Sequence, residues 1–132
     1  MSSIFTRIIN GEIPCFRIAE NELFLAFLDI EPLREGHVLV VPKIEVNKVF
    51  DAPDEYLQQW FLFARPVARA IEQAFDCKRC GVSFIGLEVP HAHMHLVPIN
   101  TADDLNFTRK PLRPSEEALK ASQAKILAHL NS

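Results

Sequence analysis

The sequence predicts an α+β fold, with a mostly antiparallel sheet of about five strands, a long central helix and a C-terminal helix. Three observations carry that prediction. Short β-branched or alternating runs recur between turn residues, one long stretch repeats apolar side chains at three- and four-residue steps, and a serine followed by two glutamates opens a last helical pattern. A chain of 132 residues suits one domain spanning residues 1–132.

Taken in order, IFTRIINGE reads as a short helix with Ile4, Phe5, Ile8 and Ile9 on one side and Gly11 ending it. Residues 16–19 and 22–30 read as a hairpin around Glu20 and Asn21, its second strand apolar on both faces and therefore central. The turn 31–36 leads into HVLVVP, a third strand closed by Pro42, which has no N–H to donate. Asp51 is expected to cap the long helix, in which Leu57, Trp60, Phe61, Ala64, Val67, Ala68, Ile71, Ala74 and Phe75 form the apolar face. Pro66 is expected to kink it. Residues 80–89 and 91–99 give the last two strands, and a long polar connection, 100–114, precedes a helix that starts at Ser115 and runs towards Leu130.

Composition narrows the functional classes. Lys plus Arg number 14 against 17 Asp plus Glu, a net charge of −3, so a nucleic-acid partner is not expected. The chain is 48% hydrophobic and 23% charged, a globular balance. No apolar run reaches the roughly 18 residues of a membrane span, so no membrane partner is expected. The start, MSSIFTRIINGEIPC, lacks the features of a secretory signal, and three sparse cysteines, Cys15, Cys77 and Cys80, suit a reducing compartment. A cytoplasmic location is expected.

Three of the five histidines fall in PHAHMHLVP. On a strand, His91, His93 and His95 would share one face while Ala92, Met94 and Leu96 face the other. Such a row admits three readings. The rings could be purely structural, satisfied by backbone or solvent. They could bind a metal that activates water, although same-face residues about 6.5 to 7 Å apart converge poorly on one ion. Or one ring could attack phosphorus, forming a phosphoramidate later released to water, while its neighbours donate to the phosphate oxygens and their mutual repulsion keeps the nucleophile neutral. The last accounts best for the crowding.

PHAHMHLVP resembles the His-x-His-x-His signature of the histidine-triad (HIT) nucleotide hydrolases, and IFTRIINGEIPCFRIAENELFLAFLDIEPLREGHVLVVPK resembles the amino-terminal half of that family. The resemblance covers about residues 4–99 and implies a HIT-like domain. It implies that His93 is the nucleophile, that His91 and His95 flank it, and that His37 comes near the phosphates. It further implies that Phe27, Leu28, Asp29 and Ile30 line the nucleoside pocket, with Asp29 accepting from ribose hydroxyls, and that Glu88 and Val89 border the nucleotide. For Asp29, capping of the turn at Glu31 and Pro32 is the competing reading. A purine nucleotide-type small molecule is the implied substrate, cleaved at the α-phosphorus as a phosphoramidate or dinucleoside polyphosphate. His95, where related transferases tend to carry glutamine, points to hydrolysis. The alternatives are a nucleotide-binding or regulatory module with little turnover, and a histidine-ligated metal hydrolase.

Relatives also imply a homodimer, for which Trp60, Phe61 and Phe63 on the long helix offer apolar surface. Leu87, Glu88 and Ile99 stand where many relatives carry phosphate donors or small polar groups. Some relatives bind zinc through an amino-terminal cysteine pair, and Ser3 and Thr6 occupy the matching positions here. Cys77 and Cys80 form a lone C-x-x-C, two ligands where a closed zinc site needs four. No metal and no cofactor is expected. Arg109, Lys110 and Arg113 are candidate replacement phosphate donors, with a solvated basic loop as the simpler reading.

Overall fold

The computed structural model describes residues 2–130. Helix α1 (Ile4–Ile9) starts at Ser3, whose hydroxyl accepts the Thr6 N–H at 3.0 Å, and ends just before Gly11 at φ +80°. Strands β1 (Arg17–Glu20) and β2 (Phe24–Leu28) form the expected hairpin, with Asn21 Oδ1 accepting the Leu23 and Phe24 N–H groups across the turn. Then come β3 (Val38–Pro42), α2 (Asp54–Ala74), β4 (Arg79–Ser83), β5 (Met94–Ile99) and α3 (Glu116–Leu130). The strands make one sheet in the order β1-β2-β3-β5-β4, and every neighbouring pair is antiparallel. This is the α+β architecture the sequence predicts.

Each face of the sheet has its own cover. Phe24, Ala26, Leu28, Val38, Val40, Met94 and Leu96 point to one side, where α2 supplies Trp60, Ala64, Val67 and Ile71 and α3 supplies Leu119 and Ile126. Leu25, Phe27, Leu39 and Val41 point to the other, beneath Phe5, Ile8 and Ile9 of α1. Period-two alternation explains the division, and burial on both faces explains why β2 and β3 are apolar at every position. Each large side chain removed from water here contributes about 1.5 to 3 kcal/mol.

Several expectations change on folding. Asp51 does not cap α2; it closes a short 3-10 turn, Val49–Asp51, and the α2 N-cap is Pro53. Asp54 and Glu55 in the first turn suit the helix dipole instead. Pro66 does not break α2, which runs unbroken across it; the ring lies on the exposed side between buried Ala64 and Val67. Trp60 is a core residue rather than a surface one, 1% exposed and packed on Phe24 and Phe84, and Phe63 stacks on Phe24; Phe61 alone of the three is exposed. Ser115 does cap α3, accepting the Ala118 N–H at 3.1 Å. Among the described residues no helix is long and apolar enough to cross a membrane.

Candidate active site

Of the three histidines in the motif, only His95 lies on a strand. It sits on β5 opposite Leu39 of β3, which places its ring on the α1 side of the sheet. Residues 84–93 leave the ladder: the His91 N–H bonds to the Val89 carbonyl at 2.8 Å and the Ala92 N–H to the Val46 carbonyl at 2.7 Å. The expected pleated row is thus corrected. Its facing rule survives, since Ala92, Met94 and Leu96 do enter the main core. The bend brings the rings closer than a flat strand would: the His93 and His95 centroids lie 4.8 Å apart, and those of His37 and His95 5.2 Å apart.

Hydrogen-bond partners dictate where each ring proton sits. His93 Nδ1 lies 2.7 Å from the His91 carbonyl, which can only accept, so Nδ1 carries the proton and Nε2 holds the free lone pair. His37 Nδ1 accepts the Leu33 N–H at 3.0 Å, so its proton is on Nε2 and is donated to His95 Nδ1 at 2.9 Å. His95 then carries its own proton on Nε2. Among the described residues neither His93 Nε2 nor His95 Nε2 has a hydrogen-bond partner, and neither is sealed from solvent. An open lone pair and an N–H donor therefore stand side by side.

Electrostatics keep these rings neutral. Burial, reinforced by His95 and His93, lowers the His37 pKa to about 3. Burial and then the His93 charge lower that of His95 to about 3. His91 and His93 are held below the ordinary imidazole value for the same primary reason. Asp29 shifts the other way, to about 6, because its carboxylate is desolvated. One of its oxygens caps the turn by accepting the Glu31 N–H at 2.9 Å, while the other lies 3.7 Å from His37 Nε2.

Asp29, His37 and His95 bring ligand-type atoms within 4.8 Å of one another. The donor set does not suit an ion, because His37 Nε2–H is already given to His95 Nδ1. Both nitrogens of His91 are likewise bonded, to Ser3 and to the Pro42 carbonyl.

The HIT domain profile matches residues 10–102. The chain belongs to the HIT domain family. It is 38% identical over 96 residues to a Saccharomyces cerevisiae protein named adenosine 5'-monophosphoramidase, a match covering 72% of this chain and 61% of that one. The chain thus spans less than two thirds of that relative's length. A Schizosaccharomyces pombe protein of the same name is 36% identical over 99 residues, 74% of each chain. The crystal structure of a HIT-like protein from Bartonella henselae is similar at a TM-score of 0.83 and 29% identity, covering 97% of this chain and 96% of that chain.

In this HIT chain the remaining expected residues scatter more than the motif suggests. Phe27 faces α1 and meets Phe5 at 5.8 Å, but Leu28 points to the opposite side, into the main core. Ile30 and Glu88 are exposed, and Val89 packs beside Phe5 and Phe27. Arg109 is engaged by Asp103 and Asp104, and Arg113 lies 3.9 Å from Glu31, so neither cation is directed at the histidines; Lys110 is exposed. Cys77 and Cys80 are free thiols, with burial pushing Cys80 up to about 12.

Four contributors were not among the expected site residues. Phe5 packs on His93 at 4.9 Å and on His91 at 5.7 Å; Phe107, from the 100–114 connection, packs on His95 at 4.6 Å; Glu45 and Ser3 reach the His91 side. Phe5 had a signal, as the apolar face of α1 predicts burial. Phe107 and Glu45 had none, being single residues in irregular segments. His93 also borders a cavity of about 400 Å³, shared with Asn47, Lys48, Phe50, Ile85 and Leu87, whereas a larger one of about 700 Å³ between α1 and β1 contains no histidine.

Proposed function

We propose that residues 1–132 form one HIT-like domain that hydrolyses nucleoside 5'-phosphoramidates, releasing an amine and the nucleoside monophosphate. The observation that carries the reading is the open lone pair of His93 Nε2 beside the His95 Nε2–H donor. His93 Nε2 attacks the α-phosphorus, a bond from phosphorus to Nε2 forms, and the bond from phosphorus to the amine breaks. The departing nitrogen takes up a proton from solvent as it leaves, while His95 Nε2–H donates a hydrogen bond to a phosphate oxygen and the His37 Nε2–H given to His95 Nδ1 keeps that proton in place. Water then attacks phosphorus, releasing its proton to solvent, and the bond to His93 breaks. Asp29 holds the ribose, and Phe5, Ile8, Phe27 and Val89 offer the purine an apolar wall. The names of the two yeast relatives support the amine as leaving group.

Incubation with adenosine 5'-phosphoramidate should release adenosine monophosphate, and rapid quenching followed by mass spectrometry should find one nucleotidyl mass on the peptide containing His93. His93→Asn should lower turnover by at least about 10³-fold while nucleotide binding persists. Undiminished hydrolysis by that variant would exclude covalent catalysis. Binding without turnover in the native protein would instead favour the regulatory reading, to which exposed Leu87 and Glu88 lend support. Cleavage of diadenosine polyphosphates in preference to the phosphoramidate would reassign the leaving group.

We also propose a homodimer. The edge strand β4 and exposed Phe61, Leu62, Val82 and Ile85 leave apolar surface uncovered. Sedimentation velocity should give a dimer that Phe61→Asp weakens, and a monomer at all concentrations would rule this out.

A further inference from the structure

The first histidine of the motif is tied to a polar cluster that the hydrolase reading does not use. Glu45 Oε1 accepts the Ser3 backbone N–H at 2.6 Å and the Thr6 hydroxyl at 2.7 Å. Ser3 Oγ accepts the Thr6 N–H at 3.0 Å and lies 2.7 Å from His91 Nδ1. On the other side of the ring, His91 Nε2 lies 3.0 Å from the Pro42 carbonyl. Because a carbonyl only accepts, Nε2 carries the His91 proton and Nδ1 is a bare acceptor. The Ser3 hydroxyl must therefore donate to it. Thr6, at 3.4 Å from the same nitrogen, gives its proton to Glu45 instead.

We propose that Ser3, Thr6 and Glu45 form a latch that positions the nucleophile through His91: it pins both the tautomer and the place of His91, whose carbonyl takes the His93 Nδ1 proton, and it docks α1 so that Phe5 packs on both rings. Two geometries support this. The His91 ring is wholly buried with a protein partner on each nitrogen, so neither nitrogen can turn to water. The same Ser3 that caps α1 makes the contact, which couples helix docking to ring placement. Pro42 fits the design, since β5 pairs with β3 only at Val38, Leu39 and Val40, leaving the Pro42 carbonyl for His91. These are positioning residues: none touches the reacting atoms.

The groups that face the His91 ring are Ser3, Thr6 and Phe5 from α1, the Pro42 carbonyl from β3, Glu45 from the following connection, and His93. Of these only Glu45 and His93 titrate, and the Glu45 carboxylate favours a protonated His91. Two variants therefore separate by sign. Ser3→Ala removes the donor that rewards neutral His91, so the acid limb of kcat should move to higher pH and kcat should fall about 5-fold, the typical worth of one neutral hydrogen bond, with KM unchanged. Glu45→Gln keeps an acceptor oxygen but removes the charge, so the limb should move to lower pH. Ser3→Thr, which restores the hydroxyl, should return the native limb.

This inference rests on the hydrolase reading for its kinetic test, so a second readout uses no substrate. Ring ¹⁵N spectra of the native protein should show His91 as the Nε2–H tautomer, and Ser3→Ala should raise its ring pKa. A native Nδ1–H tautomer at His91 would overturn the latch, as would coincident pH limbs in Ser3→Ala and Glu45→Gln at full active-site titre. Should Ser3→Ala not fold, the native spectrum and exposed Glu45 still decide the question. Failure of the native protein to release monophosphate, with the expected tautomer present, would overturn the hydrolase reading and leave the latch standing as a structural device.

Discussion

At the scale of single residues, the informative fact is the assignment of protons. Four imidazoles in one neighbourhood are chemically ambiguous until each nitrogen has a partner, and the partners here are mainly backbone groups: the Leu33 amide, the His91 carbonyl and the Pro42 carbonyl. Backbone groups cannot swap donor for acceptor, so they fix the tautomers more firmly than side chains could. Asp29 is the residue where two readings meet, since one oxygen caps the turn and the other faces His37. Asp29→Asn keeps an oxygen for the Glu31 N–H and removes the charge. It should raise KM for the nucleotide by roughly tenfold, as loss of a charged hydrogen bond does, with little change in kcat or folding. Native KM should rise as pH falls through about 6, where the carboxylate takes its proton, and the Asn variant should lose that dependence. Steady-state profiles of both proteins check it, and identical profiles would remove Asp29 from ribose binding.

At the scale of elements, α1 is small in length and large in consequence, because its first residues and Phe5 contact the two histidines that precede β5. The connection into β3 is constrained from the other side of the sheet. Gly36 has φ +92°, and a Cβ placed there would lie 2.5 Å from the Phe75 ring at the end of α2. Gly36→Ala therefore combines a left-handed backbone with a clash, and it should cost about 1 to 3 kcal/mol of stability. His37 is the next residue, so the same change should also disturb the His37–His95 bond. Thermal unfolding together with kcat tests both effects, and an unaltered melting temperature would show that Phe75 yields freely. The strong apolar periodicity of α2 was legible from sequence, yet not its partition: Trp60 and Phe63 face the sheet while their neighbour Phe61 does not.

At the scale of the whole molecule, the buried imidazoles make folding sensitive to acid. His37 and His95 take protons in the unfolded chain near 6.5 but resist them in the folded protein until about 3. The unfolded state therefore binds more protons across that window, and stability is lost progressively as pH falls through it. Asp29 acts with the opposite sign: the folded protein protonates it at about 6 and the unfolded chain near 3.8, so it offsets part of the loss between those values. Two imidazoles against one carboxyl leave a net loss, and His91 and His93 add to it. The urea midpoint should be clearly lower at about pH 5 than at about pH 7. An equal or higher midpoint at the lower pH would mean that the rings are charged in the folded state.

The sequence by itself determined the architecture and the identity of the histidines, because both are written in local patterns: alternation for strands, three- and four-residue steps for helices, and an improbable crowding of one residue type. It also determined which side chains alternating with those histidines enter the core, since Ala92, Met94 and Leu96 occupy the opposite, apolar face. Only the tertiary structure decided that His91 and His93 leave the strand, where each ring proton resides, and that Ser3, Glu45, Phe5 and Phe107 surround the rings. Those features depend on contacts between segments far apart in the chain, such as Ser3 with His91, and no local periodicity encodes which distant donor will meet which acceptor.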